Sequence, residues 1–185
     1  MSIATTLIAD RVFPKSFATN VGLVIGGAAL TAIAAQIQIP MWPVPMTMQT
    51  FAVLLVAAAL GAKRGALSLS IYLAMGAAGL PVFAGAKALT GVLPTAGYLV
   101  GFVAAAAVVG FLASRGFSKS PIKVAAIFAI GSLTIYGFGV SGLMIALGMD
   151  LNTAVAAGVI PFLVGDAIKA VLAAALLPAA WRLAK

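Results

Sequence analysis

The chain has 185 residues, 64% hydrophobic and 8% charged, with 11 basic and 3 acidic side chains, no histidine and no cysteine. Soluble domains carry about 25% charged residues, so an ordinary soluble fold is excluded and a polytopic membrane protein is implied. Disulfides, thiol chemistry, the usual zinc and haem ligands and imidazole catalysis fall away with the missing residues, and the formal charge of +8, which in a soluble chain would suggest nucleic acid, is to be read first as membrane topology.

At about 20 residues per span there is room for roughly five to seven helices in one domain covering 1–185, and for no second soluble domain. Six apolar segments follow in chain order: Phe17–Ile39, Met46–Ala62, Gly65–Leu80, Thr95–Ala113, Val124–Leu147 and Pro161–Trp181. With the N-terminus inside, the inner side carries Arg11, Lys15, Lys63, Arg64, Arg115, Lys119, Lys123, Arg182 and Lys185, while the outer loops hold only Lys87 and Asp150. The positive-inside rule therefore predicts an all-α protein with six transmembrane helices and both termini cytoplasmic. The second and third segments are short, which admits a re-entrant hairpin instead; that arrangement would put Lys63 and Arg64 outside and invert the later alternation. Arg11 and Lys15 followed by an apolar run with Ala32-Ile33-Ala34 imitate a signal peptide, but the run is too long.

Three stretches on the expected outer side read as non-helical. Between the first two segments, Ile39-Pro40-Met41-Trp42-Pro43-Val44-Pro45-Met46-Thr47-Met48-Gln49 packs three prolines into six residues, which forbids a helix and predicts an apolar lid over the bundle. Trp42 fits either that lid or an anchor at headgroup level. Gly79-Leu80-Pro81-Val82-Phe83-Ala84-Gly85 continues through Pro94-Thr95-Ala96-Gly97-Tyr98, where Tyr98 can line a pocket or join an aromatic belt. The third stretch is 152–160. A proline suits the first turn of a helix, so a last helix beginning near Pro161 would place Asp166 and Lys169 one to two turns from the outer end.

Asp166 and Lys169 are the only charges between Leu151 and Trp181 and share a helix face. Ionisable groups at membrane depth are costly and usually mark a ligand or ion pathway; the plainer alternative is a salt bridge that only locks helices together. Gly27 and Thr31, with Ala28 and Ala32, give the first helix a smooth face for close approach of another helix, either a partner's or one of the same bundle.

Several chemistries can be struck out. Gly139-Val140-Ser141-Gly142 resembles an intramembrane serine-protease pattern but lacks a histidine to activate the serine. An intramembrane aspartyl protease needs two carboxylates, and Asp166 stands alone within the expected spans. There is no Gly-x-x-x-x-Gly-Lys-Ser/Thr phosphate loop, so ATP-driven work would need a partner.

Four motifs in order, Pro43–Thr50, Gly79–Gly85, Pro94–Leu99 and Pro161–Ala170, make the chain resemble the BioY family, the biotin-binding S components of energy-coupling factor (ECF) vitamin transporters. The resemblance implies a six-helix bundle without enzymatic activity or cofactor. Its pocket would open outward under the first loop, and partners would be a transmembrane coupling (T) subunit and a pair of ATPases. Asp166, Lys169 and Tyr98 match positions expected to contact biotin, Thr47 and Gln49 match the lid loop, and the face around Ala28 and Ala32 would dock the coupling subunit. Leu93 and Ala96 replace two glycines usual in the family, so pocket shape near the fourth span is expected to differ.

Biotin has a carboxylate at one end and a ureido ring at the other. Lys169 is expected to meet the carboxylate and Asp166 the ureido N–H groups, with Trp42, Phe83 and Tyr98 around the apolar middle. The reverse, with Asp166 merely holding Lys169, stays open. So do an S component for another vitamin, a stand-alone proton-coupled transporter using Asp166, and a scaffold that binds no small molecule.

Overall fold

In the computed structural model residues 7–91 and 93–184 are described. The elements are α1 (Ile8–Val12), α2 (Phe17–Gln36), β1 (Gln38–Ile39), β2 (Met46–Thr47), α3 (Gln49–Ala77), α4 (Ala96–Ser114), α5 (Pro121–Leu147), α6 (Leu151–Gly158) and α7 (Leu163–Leu183), with single 3-10 turns at Phe117–Lys119 and Ile160–Phe162. Among the described residues five helical stretches are long and apolar enough to cross a membrane: α2, α3, α4, α5 and Leu151–Leu183.

Helix α3 is not straight. At Gly61 the backbone takes φ 82 and ψ 174, outside the helical region and accessible to glycine without a Cβ penalty. Eight residues of unbroken helix would span about 12 Å, yet a Cβ at Gly65 would lie 3.1 Å from Ala57 Cα. The chain therefore doubles back, and Gln49 meets Tyr72 across the two limbs. The break falls two residues before the Lys63-Arg64 pair that separates the second and third sequence segments, and the limbs occupy the places of those segments.

Charges collect at the end where this turn sits. Arg64 donates to the Leu60 carbonyl, to Asn20 Oδ1 at 3.0 Å and to Asp10 Oδ1 at 2.6 Å, tying α3 to α1 and α2. Leu7 occupies the space beside Gly61. Arg11 donates to the Ala184 carbonyl at 3.0 Å, so α1 also reaches the end of α7. Nearby, Trp181 donates to Ser118 Oγ at 3.1 Å and lies under the Lys119 ammonium, 4.7 Å from its ring centre.

Helix α4 runs through the middle, packed on α3 and α5. Gly97 and Gly142 let α4 and α5 touch backbone to backbone: a Cβ at Gly142 would lie 2.7 Å from Gly97 Cα, so any side chain there would force the helices apart. The core is Tyr72, Leu54, Leu69, Val109, Val124, Phe128, Ile127, Ile135 and Leu143, all fully buried. Helix α7 lies at the rim, with Val164, Ile168 and Val171 exposed on its outer side.

Two expectations need correction. The fold is not wholly helical, because Gln38 pairs with Thr47 and Ile39 with Met46 in a small antiparallel ribbon. Residues at the end of the first apolar segment and the start of the second thus belong to the lid, where the prolines between them bring the chain back on itself. The stretch 152–160 is mostly helical: Asp150 Oδ1 caps α6 by accepting from the amides of Asn152 and Thr153. The last helix begins at Leu163, near Pro161 as expected, with that proline in the 3-10 turn before it.

Candidate functional site

Opposite the charged end, the lid ribbon, Phe83, Ala84 and Thr95 from the connection before α4, and the first turns of α7 enclose a cavity. Asp166 and Lys169 lie in the first two turns of α7, three residues apart, so their side chains leave the helix on one face. Both side chains are 9% exposed, and Lys169 Nζ sits 2.8 Å from Asp166 Oδ1. The ammonium also donates to Thr50 Oγ1 and to the main-chain oxygen of Thr47, both at 2.8 Å. Asp166 accepts at Oδ1 from Thr50 as well, at 3.1 Å, and at Oδ2 from the hydroxyl of Tyr136, at 2.6 Å. Each of the two buried groups thus has an oppositely charged partner and further hydrogen bonds, and removing either would leave the other uncompensated.

The rest of the wall is largely apolar and aromatic: Val44, Pro45, Phe83, Ala84, Leu99, Phe102, Ile135 and Phe162, with Thr95 and the ring of Tyr98. Tyr98 donates to the Gly158 carbonyl at 2.7 Å, which fixes its ring and leaves its apolar face toward the cavity. Gln49 is held between lid and bundle. It accepts from the Thr47 hydroxyl at 3.3 Å and donates to Tyr72, whose own hydroxyl donates to the Val82 carbonyl at 3.1 Å. Phe83 packs edge-on against Tyr72 with ring centres 5.3 Å apart. No buried side-chain N or O among the described residues lacks a partner.

The remaining space is about 50 Å³, enough for a water or two and far below the roughly 300 Å³ or more of a small-molecule pocket. The site is closed around its own side chains.

Six of the seven ligand-contact candidates from the sequence, Asp166, Lys169, Tyr98, Thr47, Gln49 and Phe83, line this cavity. Trp42 does not. It is 80% exposed at the tip of the lid loop, pointing away from the site, because the ribbon turns Val44 and Pro45 inward instead. Sequence reasoning missed Thr50 and Tyr136. The available signal was a tyrosine deep in an apolar helix, whose buried hydroxyl needs an acceptor. Of the loop before α4, Thr95 reaches the wall, while Leu93 and Ala96 are not among its lining residues. Ser141 bonds to the Gly137 carbonyl of its own helix, at 2.9 Å.

The small-residue face of α2 is also corrected. A Cβ at Gly27 would lie 2.7 Å from Ser68 Oγ and 2.9 Å from Val56 Cγ1. Ala28 and Thr31 are buried, and Ala32 packs against the core. This face serves α3 within the same chain. The opposite side of α2 is the open one: among the described residues, nothing lies within 4 Å of a Cβ placed on Gly22 or Gly26, and Ile25, Ala29 and Ile33 are exposed beside them.

Residues 5–185 match the BioY family. A protein named "Biotin transporter BioY" from Thermotoga maritima is 42% identical over 150 residues, covering 79% of this chain and 86% of that one. "Probable biotin transporter BioY" from Pyrococcus horikoshii is 39% identical over 158 residues, covering 84% and 92%. In fold, the chain is similar to the crystal structure of the S-component for biotin from an ECF-type ABC transporter, with a TM-score of 0.81 at 22% identity over 92% of this chain and 94% of the other. By the extent of its match and the identity to these relatives, this chain belongs to the BioY family.

Proposed function

We propose that this chain takes up biotin as the substrate-binding S subunit of an ECF-type transporter, capturing the vitamin at the outer face. The carrying observation is the buried Asp166–Lys169 pair on the wall of a mainly apolar, aromatic cavity beneath a lid, in a chain whose relatives are named as biotin transporters. Biotin offers one carboxylate for Lys169, ureido N–H donors for Asp166, and apolar atoms for Phe83 and Tyr98. Among the described residues Asp166 Oδ2 accepts only from Tyr136, which leaves acceptor capacity for a ligand N–H. Thr47 and Gln49 belong to the lid side of the same site.

Six membrane spans with both ends cytoplasmic agree best with the charges. The two limbs of α3 count as separate crossings joined at Gly61, which puts Arg64 beside Asp10 and Arg11 on one side and the lid on the other. The partners are a T subunit and a pair of ATPases in a bacterial plasma membrane. The open side of α2 around Gly22 and Gly26 supports docking of a partner helix there, since Gly27, Ala28 and Thr31 are already packed.

Titration of biotin into detergent-purified protein, beside Lys169→Ala and a panel of riboflavin and thiamine, tests the reading. Saturable one-to-one biotin binding that the variant loses supports it; no biotin binding by folded protein refutes it. Uptake by vesicles containing this chain alone that collapses with the proton gradient would instead favour a secondary transporter.

A further inference from the structure

An ammonium has three N–H donors, and in this structure Lys169 uses all three, on Asp166 Oδ1, Thr50 Oγ1 and the Thr47 carbonyl, each at 2.8 Å. Two of these acceptors stand on the bundle. Asp166 shares α7 with Lys169, and Thr50 lies in the first turn of α3, where it also donates to Asp166. The third belongs to β2, a strand of two residues.

A ligand carboxylate can reach Lys169 only by replacing one of the three. Displacing Asp166 would leave its buried carboxylate without the ammonium that neutralises it. Displacing Thr50 would remove a group that holds both members of the pair. The Thr47 carbonyl is neutral, sits on the thinnest element, and blocks a cavity that holds no more than about 50 Å³. A carboxylate bonds an ammonium more strongly than a carbonyl does, so the exchange is favourable once the strand has moved.

We propose that the Thr47 carbonyl is a placeholder for the ligand's carboxylate on Lys169, so that the lid strand competes with substrate and must release the ammonium before biotin binds. The inference rests on the proposed biotin reading of Lys169. It makes Thr47 a specificity determinant through its main chain: a neutral ligand end cannot outbid the carbonyl already in place, so the closed lid selects for an anionic end. The strand is also attached to the bundle through the Thr47 hydroxyl, which donates to Gln49 Oε1 at 3.3 Å and accepts from the Gln49 amide at 3.1 Å, through the adjoining Met48 amide on the Ile37 carbonyl at 2.9 Å, and through the Met46 side chain beside Gly165.

Two measurements test it, both helped by the absence of native cysteine. First, a fluorophore on Trp42→Cys, at the exposed tip of the lid, follows biotin and desthiobiotin binding by stopped flow. Lid release before binding gives an observed rate that levels off at one ceiling shared by both ligands; a rate that rises linearly with concentration, or a ceiling that differs between them, overturns the placeholder. Second, the pair Met46→Cys and Gly165→Cys pins the strand, since a Cβ at Gly165 lies 3.0 Å from Met46 Sδ. Oxidised protein should lose biotin binding and regain it on reduction, and undiminished binding when oxidised overturns the proposal. Absence of biotin binding in the folded parent protein overturns the biotin reading and the placeholder together, whereas biotin binding with linear kinetics removes only the placeholder. If the double-cysteine protein does not fold, the stopped-flow result stands alone and decides.

Discussion

Tyr136 on α5 donates its hydroxyl to Asp166 Oδ2 on α7 at 2.6 Å, and this bond joins the rim helix to the bundle at the level of the ion pair. It orients the carboxylate so that Oδ1 faces Lys169 and Thr50.

Replacing Tyr136 by Phe removes a donor to a buried charge, and should cost about 1–3 kcal/mol of stability. Thermal unfolding in detergent will read this as a lower midpoint, and biotin binding should weaken in the same variant because Asp166 is free to turn. An unchanged midpoint with unchanged affinity would show that Thr50 and Lys169 alone hold the carboxylate.

Lys169→Ala should weaken biotin strongly and neutral biotin amides much less, since only the acid loses an ionic partner. Equal losses for both ligands would sink the carboxylate assignment. The same variant strands Asp166 in a dry site, at about 3–5 kcal/mol. Combining Asp166→Asn with Lys169→Met should recover most of that stability without recovering biotin binding, which separates the pair's structural role from its ligand role.

Gly61→Ala should destabilise the fold by about 1–2 kcal/mol or more, because its φ of 82 penalises any Cβ and Leu7 already fills the adjacent space. Its biotin affinity in the folded fraction should stay close to the parent, since the turn lies at the far end from the site. Titration of protein selected as monodisperse checks the second half.

The two faces of α2 should respond oppositely to a bulky residue. Gly27→Leu would collide with Ser68 and Val56 and lower stability, while Gly26→Leu points into open space and should leave stability and biotin binding intact. Co-purification with the T subunit is the added readout. Loss of the complex in Gly26→Leu alone is the expected result, and its retention would move the docking surface away from α2.

Asp150 caps α6 with its carboxylate, and the Thr153 hydroxyl and nearby amides hold its pKa below the ordinary carboxylate value. A group lowered in the folded state contributes its stability above the unfolded pKa and loses it as pH falls through the folded one. Asp150→Asn should therefore flatten the acid limb of stability, below about pH 4, with little change at neutral pH because Asn is also a good cap. The carboxylate is fully exposed, so the difference should be small. Midpoints of both proteins measured from pH 3 to neutral would show whether the cap is charge-dependent.

What the sequence alone determined is what depends on composition and on neighbours along the chain. Uniformly apolar segments of span length require a membrane, basic residues gathered between alternate segments mark one side, and Asp166 with Lys169 share a face wherever α7 is helical. Six of the seven candidate residues singled out from the sequence line one cavity, and they stood out because they sit in or beside proline, glycine and charge patterns that are unusual in such a chain.

Tertiary structure decided everything that depends on which side of an apolar helix meets another. Where every face is hydrophobic, periodicity cannot tell core from lipid, so the packed side of α2 could not be separated from its open side until Gly27 was seen against Ser68 and Val56. The ribbon of β1 and β2, which turns Val44 and Pro45 inward and Trp42 outward, arises from pairing across a loop. Thr50, 116 residues from Asp166, and Tyr136, 30 residues away, enter the site only because α3, α5 and α7 converge there. Buried charges need partners, and the chain's own order does not say which ones the folded bundle brings within reach.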